Sequence, residues 1–260
     1  MAKPVTARAF IADIGNSCIK IACFSGSRPL FLERFYYAGN SANAAARAAL
    51  LLAKKGAACV AMGSVNRRAS QALVSQVKKK RIAIVRASKK NRGAIASRYC
   101  CAAIGMDRYA NIIGVRHAYR EKNLIVLDCG TALTVDIIEK NDHIGGFIVP
   151  GGQTLLDALY DRTDALPRVM VSQRQPIIGA TTHEAIRSGC ALQFQGGVRE
   201  ILSFIRTQRK KPFSVVVTGG GAHLVKNLGV SVRVDPYLTC RGIALLASSP
   251  RRSHVRECPP

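Results

Sequence analysis

A short pattern that occurs twice constrains this chain more than any other feature of its sequence. Residues 11–17 (IADIGNS) and residues 126–132 (VLDCGTA) each run from an apolar strand into Asp-x-Gly, and a second strand pattern follows each copy. The copies stand 115 residues apart, close to half of the 260 residues. Self-similarity at that distance predicts a duplicated fold whose two turns face each other. We place the halves at 1–121 and 122–260.

The spacing of apolar residues predicts an α/β fold in which strands alternate with helices. Gly15-Asn16 and Asn141-Asp142 are turn dipeptides between strand patterns, so each predicts a hairpin. Ser41 or Asn43 is expected to cap one helix and Thr182 another, because these are capping residue types. The predicted strands cover 8–14, 18–24, 57–62, 82–86, 124–128 and 214–221, the last ending in a glycine turn, and the predicted helices cover 41–55, 69–80, 107–120, 153–160 and 182–206.

The two Asp-x-Gly turns have the chemistry of a phosphate site. Glycine lets a ligand approach the backbone closely, and consecutive N–H groups at such a tip bind phosphate oxygens. In the first turn, Asn16 and Ser17 add side-chain donors and Lys20 adds a positive charge. The carboxylates of Asp13 and Asp128 would repel phosphate unless a cation lies between, so the pair predicts a metal-bridged phosphate tail. The alternative is two ordinary hairpins in which Asp holds the turn.

The segment Gly105-Met-Asp107-Arg108 has two interpretations. Asp107 stands at the predicted start of a helix, where a carboxylate can cap backbone N–H groups. It could instead act as a base that orients a substrate hydroxyl, with Arg108 neutralising phosphate charge. Both interpretations are open from these residues alone.

The charge of the chain is strongly basic and unevenly distributed. The formal net charge is +24, and residues 78–98 contain nine basic residues and no acidic one. Such a run favours attraction to polyanions, including nucleic acid. It lacks interleaved aromatic residues and belongs to no known nucleic-acid-binding module, so a solvated cationic face is the simpler interpretation.

Several other classes are excluded by what the sequence lacks. It contains neither the Gly-Lys-[Ser/Thr] phosphate loop nor the Gly-x-Gly-x-x-Gly dinucleotide fingerprint. Its nine cysteines include no Cys-x-x-Cys pair, which argues against a zinc site or a disulfide framework. Without a long apolar run or a signal-peptide pattern, we expect a cytoplasmic protein with reduced thiols.

Taken in order, these motifs resemble type III pantothenate kinase. The resemblance extends from residue 11 to residue 242, and its ordered set is far more specific than any single motif. It is carried by Asp13-x-Gly-Asn-Ser-x-x-Lys20, Gly105-x-Asp-Arg108, Asp128-x-Gly-Thr-Ala-x-Thr-x-Asp136, Gly145-Gly-x-Ile-x-Pro-Gly151, Thr182-x-x-Ala-Ile-x-Ser-Gly189, Thr218-Gly-Gly220 and Arg241-Gly242.

The resemblance implies a fold and a reaction. The fold is that of the acetate and sugar kinases, Hsp70 and actin: two ribonuclease-H-like halves with mixed β-sheets flanked by helices and an ATP cleft between them. The reaction is transfer of the ATP γ-phosphate to the 4′-hydroxyl of pantothenate, the first step of coenzyme A biosynthesis. The family also implies K⁺ or NH₄⁺, Mg²⁺ with ATP, and a homodimer with the pantothenate pocket near its interface.

Carried over by position, the resemblance implies a role for each motif residue. Asp107 is the catalytic base, and Asp128 binds the monovalent cation. ATP is bound by Asp13, Ile14, Gly15, Asn16, Ser17, Cys18, Ile19, Lys20 and Thr131, and pantothenate by Gly105, Met106, Asp107, Arg108, Thr182 and Tyr99. The chain departs from the family pattern in two places. Ser17 replaces Thr, and Tyr99 stands about one residue closer to Gly105 than usual, with no Pro between them.

Two further interpretations follow from the resemblance and the charge. Some relatives are named Bvg accessory factor, so a catalytically idle, nucleic-acid-binding transcriptional accessory is the alternative function; another small-molecule kinase or phosphatase on the same fold is a third. For the dimer, the predicted helix 182–206 offers an apolar face as a candidate interface or as part of the core. That face is formed by Ile186, Ala191, Phe194, Val198 and Ile201.

Overall fold

Two five-stranded mixed sheets, built on the same plan, organise the chain. This computed structural model describes residues 8–37, 39–91, 97, 103–174, 176–225 and 230–248. Contacts divide it into two units. The first unit holds the described residues up to Arg120 and those from Tyr237 on, and the second holds Glu121–Pro236.

The first unit has a sheet of strand order β3-β2-β1-β4-β5. Strand β1 pairs antiparallel with β2 and parallel with β4, so it lies at the centre. The elements are β1 (Arg8–Ile14), β2 (Cys18–Ser25), β3 (Arg28–Tyr36), α1 (Ser41–Lys54), β4 (Cys59–Ser64), α2 (Arg67–Lys79), β5 (Ala83–Arg86) and α3 (Met106–Ala118), joined by the last helix, Leu238–Ala247.

The second unit repeats this plan. Its elements are β6 (Leu124–Cys129), β7 (Ala132–Glu139), β8 (Asp142–Pro150), α4 (Gly152–Arg162), α5 (Thr182–Arg209), β9 (Ser214–Thr218) and β10 (Val232–Val234). The helix that follows them in the chain, α6 (Leu238–Ala247), belongs to the first unit. The strand order is β10-β9-β6-β7-β8, with β6 antiparallel to β7 and parallel to β9. The duplication predicted from the repeat is therefore present, because β6 takes the place of β1.

The two faces of the first sheet carry different side chains, because successive residues of a strand point to opposite faces. Phe10, Ala12 and Ile14 of β1 pack into a cluster with buried side chains of α1 and α2. Asp13 therefore points to the other face. Gly63 of β4 shows what covers that face, since a Cβ built there would meet Ile243 of α6 and Met106 of α3.

Helix α5 provides the main core contact of the second unit. Phe194, Val198, Leu202 and Ile205 are buried against the apolar side chains of β6, β7 and β9. Ile186 is buried in a smaller cluster with Leu156 of α4. The apolar face considered as a dimer interface is thus largely a core face within one chain, although Ala191 and Ile201 are only half-buried.

The structure corrects the predicted helix caps. Asn40, rather than Ser41 or Asn43, caps α1, and its Oδ1 accepts hydrogen bonds from two backbone N–H groups. Thr181, rather than Thr182, caps α5 and accepts from the N–H of Glu184 at 3.3 Å. In each case the capping residue lies immediately before the predicted one, because several capping types stand side by side.

The predicted half 122–260 also differs from the observed second unit. The last helix of that predicted half, α6, packs against α3 and belongs to the first unit. The predictions missed this helix together with β3 and β10. Both strands lie at sheet edges and keep exposed residues, so their apolar pattern is weak. The hairpin at Asn141 is confirmed, and Lys140 and Asn141 both have positive φ, as a tight two-residue turn requires.

A buried carboxylate ties the end of β7 to the end of α5. Glu139 accepts hydrogen bonds from Arg209 and Lys211, and the bonds with these two bases lower its pKa despite its burial. When folding lowers the pKa of a carboxylate, its ionised form stabilises the fold at pH values above the unfolded-state pKa. This stabilisation is lost as the pH falls through the folded-state pKa.

We expect Glu139→Gln to lower the free energy of unfolding by about 1 kcal/mol at pH 7, a small value because both bases are partly exposed. The difference from the unchanged protein should shrink below the ordinary glutamate pKa of 4.5. Urea unfolding at pH 7 and pH 3 measures it, with the exposed Glu200→Gln as control. A difference that stays constant between the two pH values would contradict the assignment.

Candidate functional site

The turn between β1 and β2 presents the predicted phosphate-binding residues at the surface. The N–H of Gly15 donates to the carbonyl of Cys18 at 3.0 Å and closes the hairpin, while Asn16 and Ser17 are exposed at its tip. Tyr37, which sequence reasoning missed, donates its hydroxyl to the carbonyl of Gly15 at 2.7 Å. Burial, with smaller contributions from Cys18 and Asp13, raises the pKa of Tyr37, so the hydroxyl stays protonated and keeps the turn in place.

Asp13 and Lys20 face each other across the same hairpin. They are register partners in β1 and β2, and Lys20 Nζ lies 2.8 Å from Asp13 Oδ2. Asp13 is only 4% exposed, so its charge needs this partner. Lys20, which the sequence predicts as a phosphate contact, thus also neutralises Asp13, whose carboxylate would repel phosphate.

Asp107 lies in the first turn of α3, behind an N-cap, Gly105, that has no side chain to offer. Its Oδ1 accepts a hydrogen bond from the backbone N–H of Arg108 at 2.7 Å. A Cβ on Gly105 would lie 2.6 Å from that oxygen, so glycine leaves room for the carboxylate. Asp107 therefore binds one backbone N–H group at the start of the helix, as the capping interpretation predicts. The base interpretation assigns its role to the same carboxylate.

Asp13 and the start of α3 lie on the same face of the first sheet. Asp13 is the register partner of Gly63 on β4, and a Cβ on Gly63 would lie 3.3 Å from Met106 Cγ, next to Asp107. The start of α3 thus stands beside the carboxyl ends of β1 and β4. The first unit brings together the phosphate turn and the segment Gly105–Arg108, which the sequence separates by about 90 residues. Arg108 itself is buried.

The second Asp-x-Gly turn is built from tightly packed glycine backbone. Thr131 is exposed, while its carbonyl accepts hydrogen bonds from the N–H of Gly151 and the hydroxyl of Thr154. A Cβ on Gly151 would collide with the carbonyl of Gly130. The Pro-Gly motif after β8 therefore has a physical reason: only glycine lets that chain pass so close to the turn.

Asp128 shares its end of the sheet with the glycine turn after β9. Gly219 has a φ of +92°, and a Cβ there would lie 2.5 Å from the carbonyl oxygen of Cys129 and 2.7 Å from Asp128 Oδ1. The absent side chain leaves a small cradle lined by carboxylate and carbonyl oxygens, which are the ligands that hard cations take. Among the described residues, no three His, Cys, Asp or Glu side chains cluster as metal ligands.

Cys129 packs inside this turn. Burial, with a smaller contribution from Asp128, raises the pKa of its thiol to about 12. The thiol is therefore protonated at neutral pH and acts as a small apolar side chain.

The remaining predictions concern Thr182, Tyr99 and the basic run. Thr182 is exposed as the first residue of α5, and Tyr99 lies outside the described residues. The basic run is divided: Lys78, Lys79 and Lys80 are exposed at the end of α2, whereas Lys89 donates to the carbonyl of Ile104 and lies over the ring of Tyr109. None of the helices in the described part of the chain is both long and apolar enough to cross a bilayer.

The comparison with protein families agrees with the order of these motifs. The family model for type III pantothenate kinase matches residues 9–203. The chain belongs to the type III pantothenate kinase family. A family relative from Chlorobium luteolum is 33% identical over 95% of this chain and 96% of its own length. Another, from Petrotoga mobilis, is 37% identical over 54% of this chain, and that match spans about half (55%) of the relative's length.

Solved structures show the fold alone. A conserved Baf family protein from Campylobacter jejuni superposes with a TM-score of 0.56 at 20% identity, covering 91% of this chain and 96% of its own. A ROK family glucokinase from Streptomyces griseus gives 0.50 at 14% identity, covering 93% and 99%. Together with the duplicated sheets, they confirm the predicted fold class of ribonuclease-H-like halves, as in the actin-like ATPases.

We expect Gly219→Ala to destabilise the protein more than Gly220→Ala. An alanine at φ +92° is strained by about 1–2 kcal/mol, and its Cβ would also press on Cys129 and Asp128. Gly220 has nothing within 4 Å of its Cβ position, which makes it a matched control one residue away. Calorimetric melting of both variants measures the difference, and equal midpoints would contradict the close packing of this turn.

Proposed function

We propose that this chain is an ATP-dependent pantothenate kinase that transfers the γ-phosphate of ATP to the 4′-hydroxyl of pantothenate, giving 4′-phosphopantothenate for coenzyme A biosynthesis. Family membership supports the reaction. The observation that carries the proposal is structural: Asp13, paired with Lys20, is the register partner of Gly63, and Met106, the residue before Asp107, lies against Gly63 on the same face of the sheet. No observation favours the transcriptional alternative.

The β1–β2 turn is the proposed holder of the ATP phosphates. The exposed Asn16 and Ser17 at its tip provide donors for phosphate oxygens. Lys20, held by Asp13, places a positive charge at the base of the turn. A divalent metal such as Mg²⁺, bound with ATP, would neutralise charge on the β- and γ-phosphates. The segment from Asp13 to Lys20 is the proposed ATP site, with Thr131 as a further contact.

Asp107 is the proposed base. Phosphoryl transfer requires mainly that the acceptor hydroxyl and the γ-phosphate be held in line, with little covalent chemistry for the protein to do. One oxygen of Asp107 is fixed by the N–H of Arg108, which sets the orientation of the carboxylate. A carboxylate has about four lone-pair sites, so Asp107 can also accept the hydrogen bond of the pantothenate hydroxyl. Gly105, Met106 and Arg108, with Thr182 and Tyr99, are the proposed pantothenate contacts.

Asp128 is proposed to hold a monovalent cation, K⁺ or NH₄⁺. The cradle over Gly219 supplies carboxylate and carbonyl oxygens for it. A bound cation there would offset the repulsion between the Asp128 carboxylate and a phosphate chain. A homodimer with its pantothenate pocket near the interface stays a prediction from the family, as does a cytoplasmic location.

We expect Asp107→Asn to reduce kcat by about 10²–10⁴-fold, because general-base assistance contributes that much. Asparagine caps a helix about as well as aspartate, so folding and nucleotide affinity should persist. Pantothenate-dependent ADP release, with mass detection of the product, measures turnover. Asp142→Asn is the control, because Asp142 is exposed at the β7–β8 turn, at the end of its sheet away from Asp128.

Two results would contradict these roles. Near-normal kcat in a folded Asp107→Asn protein would show that Asp107 acts only at the helix start. ATP turnover that does not depend on pantothenate would overturn the kinase proposal itself.

We expect activity to depend on K⁺ or NH₄⁺, with Na⁺ a poor substitute because it is smaller and gives up its water less readily. Asp128→Asn removes the anionic ligand and should raise the K⁺ concentration needed for half-maximal activity. Titrating KCl against NaCl at constant ionic strength, for both proteins, measures the effect. Full activity in buffer containing only Na⁺ would contradict the role of Asp128.

A further inference from the structure

Helix α3, which begins at the proposed catalytic base, is buried along most of its length. All residues from Arg108 to Val115 are buried. A surface helix would expose one side, so α3 is enclosed between the sheet and other elements. Because protein interiors are close-packed, such a helix keeps its place only as well as its neighbours hold it.

The neighbour that touches α3 most closely is α6, the last helix of the chain. A Cβ on Gly242 of α6 would collide with the carbonyl of Ala110, and a Cβ on Gly114 of α3 would lie 2.7 Å from the carbonyl oxygen of Leu238. These two pairs show that the helices run antiparallel with their backbones in contact. Glycine on both sides permits an approach that any side chain would prevent.

One buried hydrogen bond fixes the relation of the two helices. The hydroxyl of Thr239 donates to Oδ1 of Asn111 at 2.8 Å, and the two residues are 3% and 0% exposed. Asn111 follows Asp107 by four residues, so both side chains lie on the same side of α3, one turn apart. Rotation or sliding of α3 would therefore move Asp107 and break this bond together.

The middle of α6 lies against the strand next to Asp13. Ile243 of α6 and Met106 of α3 both lie against Gly63, the register partner of Asp13. Helix α6 thus contacts α3 at Gly114 and Ala110, and it also contacts the strand beside Asp13. It is placed to set the distance between the base and the phosphate turn.

We propose that Thr239 is a positioning residue for phosphoryl transfer: through its hydrogen bond to Asn111 it holds α3, and so Asp107, at the distance from the β1–β2 turn that in-line transfer needs. This inference rests on the proposed kinase function. Thr239 lies beyond residues 9–203, the part of the chain that the family model matches.

The experiment compares Thr239→Val with Thr239→Ser. Valine keeps the shape and removes the donor, whereas serine keeps the donor. A displacement of about 1 Å costs on the order of 10²-fold in rate, so we expect kcat of the valine variant to fall by about 10–100-fold. KM for ATP should stay unchanged, because the phosphate turn is not moved, and serine should restore most of kcat.

Leu73→Ala is the matched control for a loss of stability alone. Leu73 lies on α2 in the cluster on the opposite face of the sheet, and its truncation costs about 2–5 kcal/mol. Measured well below its melting midpoint, this variant should keep normal kcat. Should Thr239→Val not fold, Thr239→Ala, which is too small to clash, replaces it.

Each outcome decides the inference. A kcat loss with unchanged KM for ATP, rescued by serine and absent in Leu73→Ala, supports it. Normal kcat in Thr239→Val, an equal loss in Leu73→Ala, or no rescue by serine overturns it while the kinase proposal stands. An unchanged protein that does not phosphorylate pantothenate overturns both.

Discussion

The position of the polar groups in this protein depends on how the central strand of each sheet is paired. That strand has an antiparallel neighbour on one side and a parallel neighbour on the other. In the first unit, β1 takes that position, so the β1–β2 hairpin and the end of β4 meet at one edge of the sheet. In the second unit, β6 does the same with β7 and β9. Each Asp-x-Gly turn thereby gains a glycine neighbour. Gly63 makes room for Ile243 and Met106, and Gly219 lies close against Cys129 and Asp128.

The central strands, the tight hairpins and most helices could be predicted because their signals are local. Strand β6 is apolar from Leu124 to Leu127, and Asn141 adopts the positive φ that its type tolerates. The edge strands β3 and β10 were missed because an edge does not require a continuous apolar pattern. The helix caps were displaced by one residue because Asn40, Ser41 and Asn43 are all capable of capping and only the backbone conformation selects among them.

The sequence indicates candidate residues for the site, but it does not indicate the contacts that hold them in place. The order of motifs indicated Asp13, Asp107 and Asp128. No sequence signal connects Asn111 with Thr239, which lie 128 residues apart, or assigns Tyr37 to the carbonyl of Gly15. The same holds for the face of α5: its apolar spacing is equally suited to a core and to an interface, and only the packed structure shows that Phe194 and Val198 belong to the core.

The return of α6 to the first unit has a consequence for how the chain folds as it is made. The second unit is continuous in sequence, from Glu121 to Pro236, whereas the first is completed only by residues that follow it. Domains generally fold as units during synthesis, at about 5–20 residues per second. The second unit can therefore fold as soon as its chain has emerged, while α3 waits with an uncovered apolar surface until α6 arrives. During that interval the first unit is the part of the nascent protein most exposed to aggregation or to binding by chaperones.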